Sequence, residues 1–323
     1  MPMGKRAGEA DYPENLLELI EAFLRELRFS EAPATAGLDE AMRYSLLAGG
    51  KRIRPVLALA TARAAGSEPR SVLPTAAAIE LIHTYSLIHD DLPAMDDDVL
   101  RRGRPTSHVV YGENIAILAG DGLFAEALRL VADRQEGPAE RVLDALRLIG
   151  SATGVGGMVG GQYVDVTTPA TSSASEREAR TVSRAEGPAA GAAGSPLGPE
   201  GLRSLHELKT GKLIATSVRV SLALAGMREP ETIPYGRFAE ELGVLFQIVD
   251  DILDVTGEET ALGKPQGSDE RHGKLTYVSV LGLDRARELA AESHAEARRA
   301  LAGAGGDTRD LKRITDFIHT RQR

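Results

Sequence analysis

From Pro13 onward apolar residues recur at spacings of three and four, and that period leaves the chain little besides helix to form. Leu16, Leu17, Ile20, Phe23, Leu24 and Leu27 open the pattern. Leu38, Met42, Leu46 and Leu47 continue it behind Thr35, a residue suited to cap a helix. Val72 to His89, Asn114 to Ala132, Ala139 to Thr153, Lys212 to Ala225 and Tyr235 to Val255 read the same way. Alternating strand patterns bounded by turn pairs are hard to find. Aromatics make up only 4% of the chain and tryptophan is absent, so the many alanines can bring helices close together. The expectation is an all-α protein: a single large helical bundle around a central cavity, covering residues 13–323, behind a flexible tail of residues 1–12.

Two segments break the period. Thr167 to Pro199 is rich in Ala, Gly, Ser, Pro and charge, and cannot bury enough surface to offset its ordering entropy. It is expected to be a mobile surface loop. Gly257 to Lys274 is polar and glycine-bearing, follows an acidic helix end, and has the character of a lid.

Composition excludes several chemistries. With no cysteine there is no disulfide, thiolate catalysis or zinc–cysteine site, and a reducing cytoplasm is the expected compartment. A formal charge of −9 argues against a nucleic-acid-binding surface, which would be basic. Met1 to Asp11 lacks the apolar run of a signal peptide, and no stretch approaches the ~18 uninterrupted apolar residues of a membrane span. No membrane insertion is expected.

Five carboxylates fall within the nine positions from Asp90 to Asp98. They follow an apolar run, Ile79 to Ile88, which Pro93 then ends. Acids at the C-terminal end of a core helix face both mutual repulsion and the negative end of the macrodipole, which points to a missing cation. A solvated acidic loop is the plain alternative. In a second cluster Gln247, Asp250, Asp251 and Asp254 stand at i, i+3, i+4 and i+7, one stripe on a helix that is otherwise apolar. Such a stripe should line an interior cavity. Oxygen ligands without His or Cys select magnesium, manganese or calcium. An acidic patch paired with lysines is the alternative here.

Basic residues answer the acids. Gly49-Gly50-Lys51-Arg52-Ile53-Arg54-Pro55 is a compact turn leading into a helix, and Arg101-Arg102-Gly103 follows the first cluster. Lys209-Thr210-Gly211-Lys212 opens a later helix, where free amides would add anion affinity, and Lys264 and Lys274 flank the lid. His83 lies two turns before Asp90 on the same face, ~10 Å deeper by helix rise. It faces the same cavity or is an ordinary core histidine.

These motifs, in this order, resemble the trans-polyprenyl diphosphate synthases, most closely the bacterial farnesyl-type enzymes. The likeness runs from about Asn15 to the C-terminus through GGKRIRP at 49–55, HTYSLIHDDLPAMDDDVLRRG at 83–103, GGQYVD at 160–165, KTG at 209–211, FQIVDDILD at 246–254 and GKPQGSD at 263–269. The resemblance implies two or three magnesium ions, two on Asp90 and Asp96 and a third on Asp250, with Asp91 and Asp254 in support. It implies that Lys51, Arg54, His83 and Arg102 hold isopentenyl diphosphate, that Arg101, Lys209, Thr210, Gln247 and Lys264 hold the allylic diphosphate, and that Gln162 and Asp165 brace the wall. Asp90, Asp96, Lys209 and Asp250 are then the catalytic set, and a homodimer is expected. The implied reaction is ionisation of the allylic diphosphate, attack by the isopentenyl double bond, and loss of a proton.

Two departures stand out: the 167–199 segment is longer than usual, and Val99 sits where another aspartate often appears. Product length is expected to follow from a floor beneath Asp90, made by Tyr85 and Ser86. The resemblance aims Tyr85 at the pocket, although ideal geometry places it roughly 140° from Asp90 around the helix. A fifteen-carbon product is expected, with the geranylgeranyl product as runner-up. A class I terpene cyclase would share the first motif but have no use for GGKRIRP. A non-catalytic partner subunit should have lost aspartates that this chain keeps.

Overall fold

A computed structural model of the protein describes residues 12–168, 198–257 and 274–321. Residues 1–11 of the expected tail, nearly all of the 167–199 segment and most of the 257–274 segment, Lys264 included, lie outside the described residues. Tyr12, expected in the tail, is instead buried against Phe317.

The elements run α1 (Glu14–Glu26), α2 (Ala36–Leu46), α3 (Ile53–Ala64), α4 (Leu73–Asp90), a hairpin of β1 (Leu100–Arg101) and β2 (Arg104–Pro105), and α5 (Ser107–Tyr111). They continue with α6 (Glu113–Arg134), α7 (Ala139–Thr153) and α8 (Met158–Thr167). After α9 (Pro199–His206) a π-helical turn, Glu207–Gly211, leads into α10 (Lys212–Ala225). Then come α11 (Ile233–Thr256), α12 (Tyr277–Leu281), α13 (Leu283–Ala302) and α14 (Arg309–Thr320). α4, α6, α7, α10 and α11 match the sequence period to within a residue or two, whereas α13 lies outside the segments that period delimits.

Four local expectations change. A short antiparallel hairpin, Leu100 opposite Pro105, interrupts the all-helical order. Its two-residue turn has positive φ at both Arg102 (54°) and Gly103 (71°), the conformation that matches strand twist. Thr35 precedes α2 but caps nothing; its hydroxyl bonds Ser30 instead, at 2.6 Å. Lys209 and Thr210 do not stand at a free helix start, because the chain is helical from α9 through the π turn into α10 and uses those amides internally. Finally, Pro69–Asp90 and Ala139–Thr167 are long and apolar enough to match a membrane span by composition. The first is 78% buried as the core helix, and the second is broken into α7 and α8 at Gly154–Gly157.

α4 sits at the centre, packed on α6 and α3, while α11 packs on α13 and α10. It is buried all round: Ala76, Ala77, Ala78, Ile79, Leu81 and Ile82 have no exposed surface. Burying a side chain of the size of Ile79 or Leu81 contributes roughly 1.5–3 kcal/mol. The one charge in its interior, Glu80, accepts from Arg52 Nη1 at 2.7 Å, and Arg52 Nε reaches Glu21 at 2.7 Å. Arg52 stands in the left-handed region (φ 48°) and also donates to the Leu46 carbonyl. This buried network, costly to break on one side only, ties α1, α2 and α4 to the start of α3 and so fixes the basic turn at 49–55.

Candidate active site

One cavity of about 300 Å³ opens between the C-terminal ends of α4 and α11, walled by α8 and the π turn. It gathers Arg54, His83, Ser86, Asp90, Asp96, Arg101, Arg102, Gln162, Asp165, Lys209, Thr210, Gln247 and Asp250 from among the residues the sequence singles out. The two acidic clusters therefore share a wall space, although some 160 residues separate Asp90 from Asp250.

Three carboxylates of the first cluster, Asp90, Asp91 and Asp96, are already held. Asp90 Oδ1 accepts from Gln162 Nε2 at 2.9 Å. Asp91, only 3% exposed, takes a forked pair of bonds from Arg101, with Nε at 2.8 Å from both oxygens and Nη2 at 2.5 Å. Arg101 is thereby held at the end of α4, where it still lines the cavity. Asp96 receives Lys274 Nζ at 2.6 Å, across 178 positions.

The second cluster divides. Thr210 donates to Gln247 Oε1 at 2.9 Å, and Gln247 Nε2 donates to Asp251 Oδ1 at 2.8 Å. Asp251 Oδ2 also accepts the Tyr277 N–H at 2.7 Å, and the residue is 1% exposed. Asp250 is the open one, with its side chain 54% exposed and paired to Arg321 at 2.9 Å. Asp254 is buried and does not line the cavity, which corrects the expectation of a whole stripe facing inward. The reason is that the i to i+7 stripe still spans an arc of helix surface, and the neighbours of α11 close over part of it.

The cations are placed by backbone constraints. Arg54 is buried on α3 with its guanidinium 5.6 Å from the Phe246 ring, and burial lowers its pKa to about 10. Arg102, on the hairpin turn, donates to the Gly49 carbonyl. Gly50 makes room for it: a Cβ there would sit 2.8 Å from Arg102 Cζ, and the glycine's φ of +126° excludes other residues anyway. Burial, and then Arg54 and Arg102, push the His83 pKa well below its ordinary value, so the imidazole is neutral. Lys209 Nζ meets Asp165 Oδ2 at 2.5 Å. Burial alone would lower the Lys209 pKa, but the charges of Asp90 and Asp165 outweigh it and the ammonium is held.

Several expected residues stand elsewhere. Lys51 is exposed, 5.2 Å above the Phe317 ring, and does not line the cavity. Tyr85 is buried away from it, edge-on to Phe124 (5.2 Å) and His89 (5.6 Å), whereas Ser86 does line it. Helix geometry explains this, since Tyr85 points around α4 toward α6. Sequence reasoning missed His206 and Arg321, counted Asp98 in the first cluster without giving it a role, and placed Lys274 only at the edge of the lid. His206 lies in the wall edge-on to Tyr277 at 5.2 Å, neutral because burial lowers its pKa to about 4.

Among the described residues, no group of three or more carboxylates or imidazoles stands close enough to hold a metal by itself. The donor set nevertheless fits a hard divalent ion. Asp90, Asp96 and Asp250 each present carboxylate oxygen to one cavity, and a ligand's phosphate oxygens would complete the coordination of an ion held there.

A family profile described as polyprenyl synthetase matches residues 35–317. The chain is 42% identical over 305 residues to farnesyl diphosphate synthase of Geobacillus stearothermophilus, covering 93% of each. It is 40% identical to the large subunit 1 of the heterodimeric chloroplastic geranylgeranyl pyrophosphate synthase of Arabidopsis thaliana, over 88% of this chain and 72% of that one. Among solved structures, the geranyltransferase of Helicobacter pylori complexed with magnesium and isoprenyl diphosphate superposes with a TM-score of 0.75. It is 31% identical, covering 95% of this chain and 92% of that one.

Proposed function

The chain belongs to the polyprenyl synthetase family and is a prenyltransferase, and on that footing we propose that it joins isopentenyl diphosphate head to tail to an allylic diphosphate, giving chiefly the fifteen-carbon farnesyl product. One observation carries the reading: Asp90, Asp96 and Asp250 line the same cavity as Arg54, Arg102 and Lys209. Carboxylates of that density beside guanidinium and ammonium groups suit a diphosphate only with divalent ions between them.

In this reading Asp90 and Asp96 hold two magnesium ions and Asp250 a third, while Asp91 and Asp254 stay behind them as support. Magnesium bound there neutralises the charge that gathers on the departing diphosphate. Lys209, kept charged by Asp90 and Asp165, and Arg101 add donors on the allylic side, with Thr210 and Gln247 beside them; Lys264 is assigned to the same group from its motif alone. Arg54 and Arg102 grip the isopentenyl diphosphate, and Lys51 joins them from the rim. His83 serves that group as a neutral donor, adding a hydrogen bond without a third positive charge. The allylic C–O bond breaks with its electron pair leaving on the diphosphate. The isopentenyl double bond then attacks the allylic cation, and a proton passes to the released diphosphate. Fixed dipoles and charges aimed at the leaving group supply most of the acceleration in such a step, and the cation survives only where water is excluded.

The fifteen-carbon product is supported by the bulk of Tyr85, buried between His89 and Phe124 beneath the first motif. A specific observation favours the geranylgeranyl alternative: Tyr85 is not in the cavity lining. Homodimerisation is part of the proposal, with Ile117 and Leu118 of α6, 42% and 51% exposed, offering an apolar face. The test is chromatography of products made by the chain alone from labelled isopentenyl diphosphate and each allylic starter, with and without chelator. A magnesium-dependent C15 product is expected; no product at all would favour a non-catalytic subunit.

A further inference from the structure

The end of α14 reaches into the site from a part of the chain that no acidic or basic motif marks. α14 is anchored by Leu311, Ile314, Phe317 and Ile318, all buried, and Arg321 continues it with its N–H on the Phe317 carbonyl at 2.9 Å. The Arg321 side chain is 9% exposed, whereas that of its partner Asp250 is 54% exposed. An ordinary surface pair would show the reverse, with the long cation in water. Here the guanidinium lies 4.3 Å from the Phe246 ring, donates to the Phe246 carbonyl at 3.2 Å, and gives its remaining contact to Asp250 Oδ1 at 2.9 Å. Its Nε is buried without a hydrogen-bond partner. The ring thus carries Arg54 on one approach and Arg321 on another, and the cation is delivered by a packed helix rather than a loose side chain.

We propose that Arg321 is a built-in counter-ion for Asp250 that competes with a divalent cation for that aspartate. It rests on the reading of Asp250 as a metal ligand. Arg321 holds only Oδ1 of Asp250, yet a cation on either oxygen stands within a few ångströms of the guanidinium and is repelled by it, so the end of α14 sets how readily the second acidic motif is loaded. The pair holds the aspartate in place until the metal arrives, and it makes loading harder than an unpaired aspartate would.

The test is a manganese titration of the full-length chain followed by electron paramagnetic resonance, at low ionic strength, without substrate. Arg321→Gln should tighten Mn²⁺ binding by about fivefold, the size expected for releasing one partly exposed ion pair, about 1 kcal/mol. Arg321→Lys, which keeps the charge but loses the flat stacking and the second N–H, should tighten it less. Should the glutamine variant lose helicity, the lysine variant decides the matter. In an Asp250→Asn background the Arg321 substitution should change nothing. Unchanged or weaker Mn²⁺ binding by Arg321→Gln, while Asp250→Asn alone weakens it, would overturn the counter-ion and leave the metal role of Asp250 standing. Unaltered binding in Asp250→Asn would remove that metal role, and the counter-ion with it.

Discussion

Lys209 and Asp165 meet at 2.5 Å, and they can do so because Gly161, one turn before Asp165 on α8, has no side chain. A Cβ at Gly161 would run into the backbone and Cβ of Lys209. The glycine lets α8 and the π turn lie against each other, and the π turn in turn aims Lys209 and Thr210 into the cavity. π-helical turns often mark functional sites; here the extra residue is what brings both side chains to the same wall.

Gly161→Ala should therefore displace Lys209. A misplacement of about 1 Å costs roughly 100-fold in turnover, and overpacking of this kind costs about 1–3 kcal/mol of stability. Steady-state rates and thermal midpoints of the variant check both. Retention of full activity would mean that Lys209 tolerates being moved.

Asp90→Asn and Asp250→Asn should each lower turnover by roughly 100- to 1,000-fold, the scale of losing one electrostatic contact at a leaving group. Chelator should abolish product and added magnesium should restore it. A wild-type rate in Asp250→Asn would limit the metal site to the first motif.

Tyr85→Ala should lengthen the product beyond fifteen carbons by removing the ring between His89 and Phe124. Phe124→Ala should loosen the same ring and shift the distribution in the same direction, less far. Product chromatography reads both, and an unaltered C15 product from Tyr85→Ala would dismiss that residue as the floor.

Stability should fall as pH drops from about 6.5 toward 4. Burial lowers the His206 pKa from 6.5 to about 4 and drives His83 down as well. Above 6.5 both states are neutral and nothing is at stake. Below it the unfolded chain binds protons that the folded one refuses, and the loss grows until the folded pKa is reached. For His206 the difference amounts to ~3 kcal/mol. Melting curves across this range should be steep for the wild-type chain and shallower for His206→Gln; equal slopes would show that His206 does not contribute.

Much of this protein was legible without its structure. The period of three and four located α7 and α10 to the residue and α4, α6 and α11 nearly so, because a helix that buries one face must repeat that face locally. Hard-oxygen clusters and the basic turns likewise announced an anion-and-metal chemistry, since charges of that density need partners wherever they end up. What tertiary structure alone decided is which carboxylate remains open. Asp250, Asp251 and Asp254 are alike as a sequence stripe, yet a backbone N–H from Tyr277 closes Asp251, packing buries Asp254, and Arg321 seals the flank of Asp250. Lys274 on Asp96, His206 against Tyr277 and Tyr85 turned toward Phe124 belong to the same kind of fact. Such contacts join residues that are distant in the chain and leave no period behind them, so only the packing of one helix on another could set them.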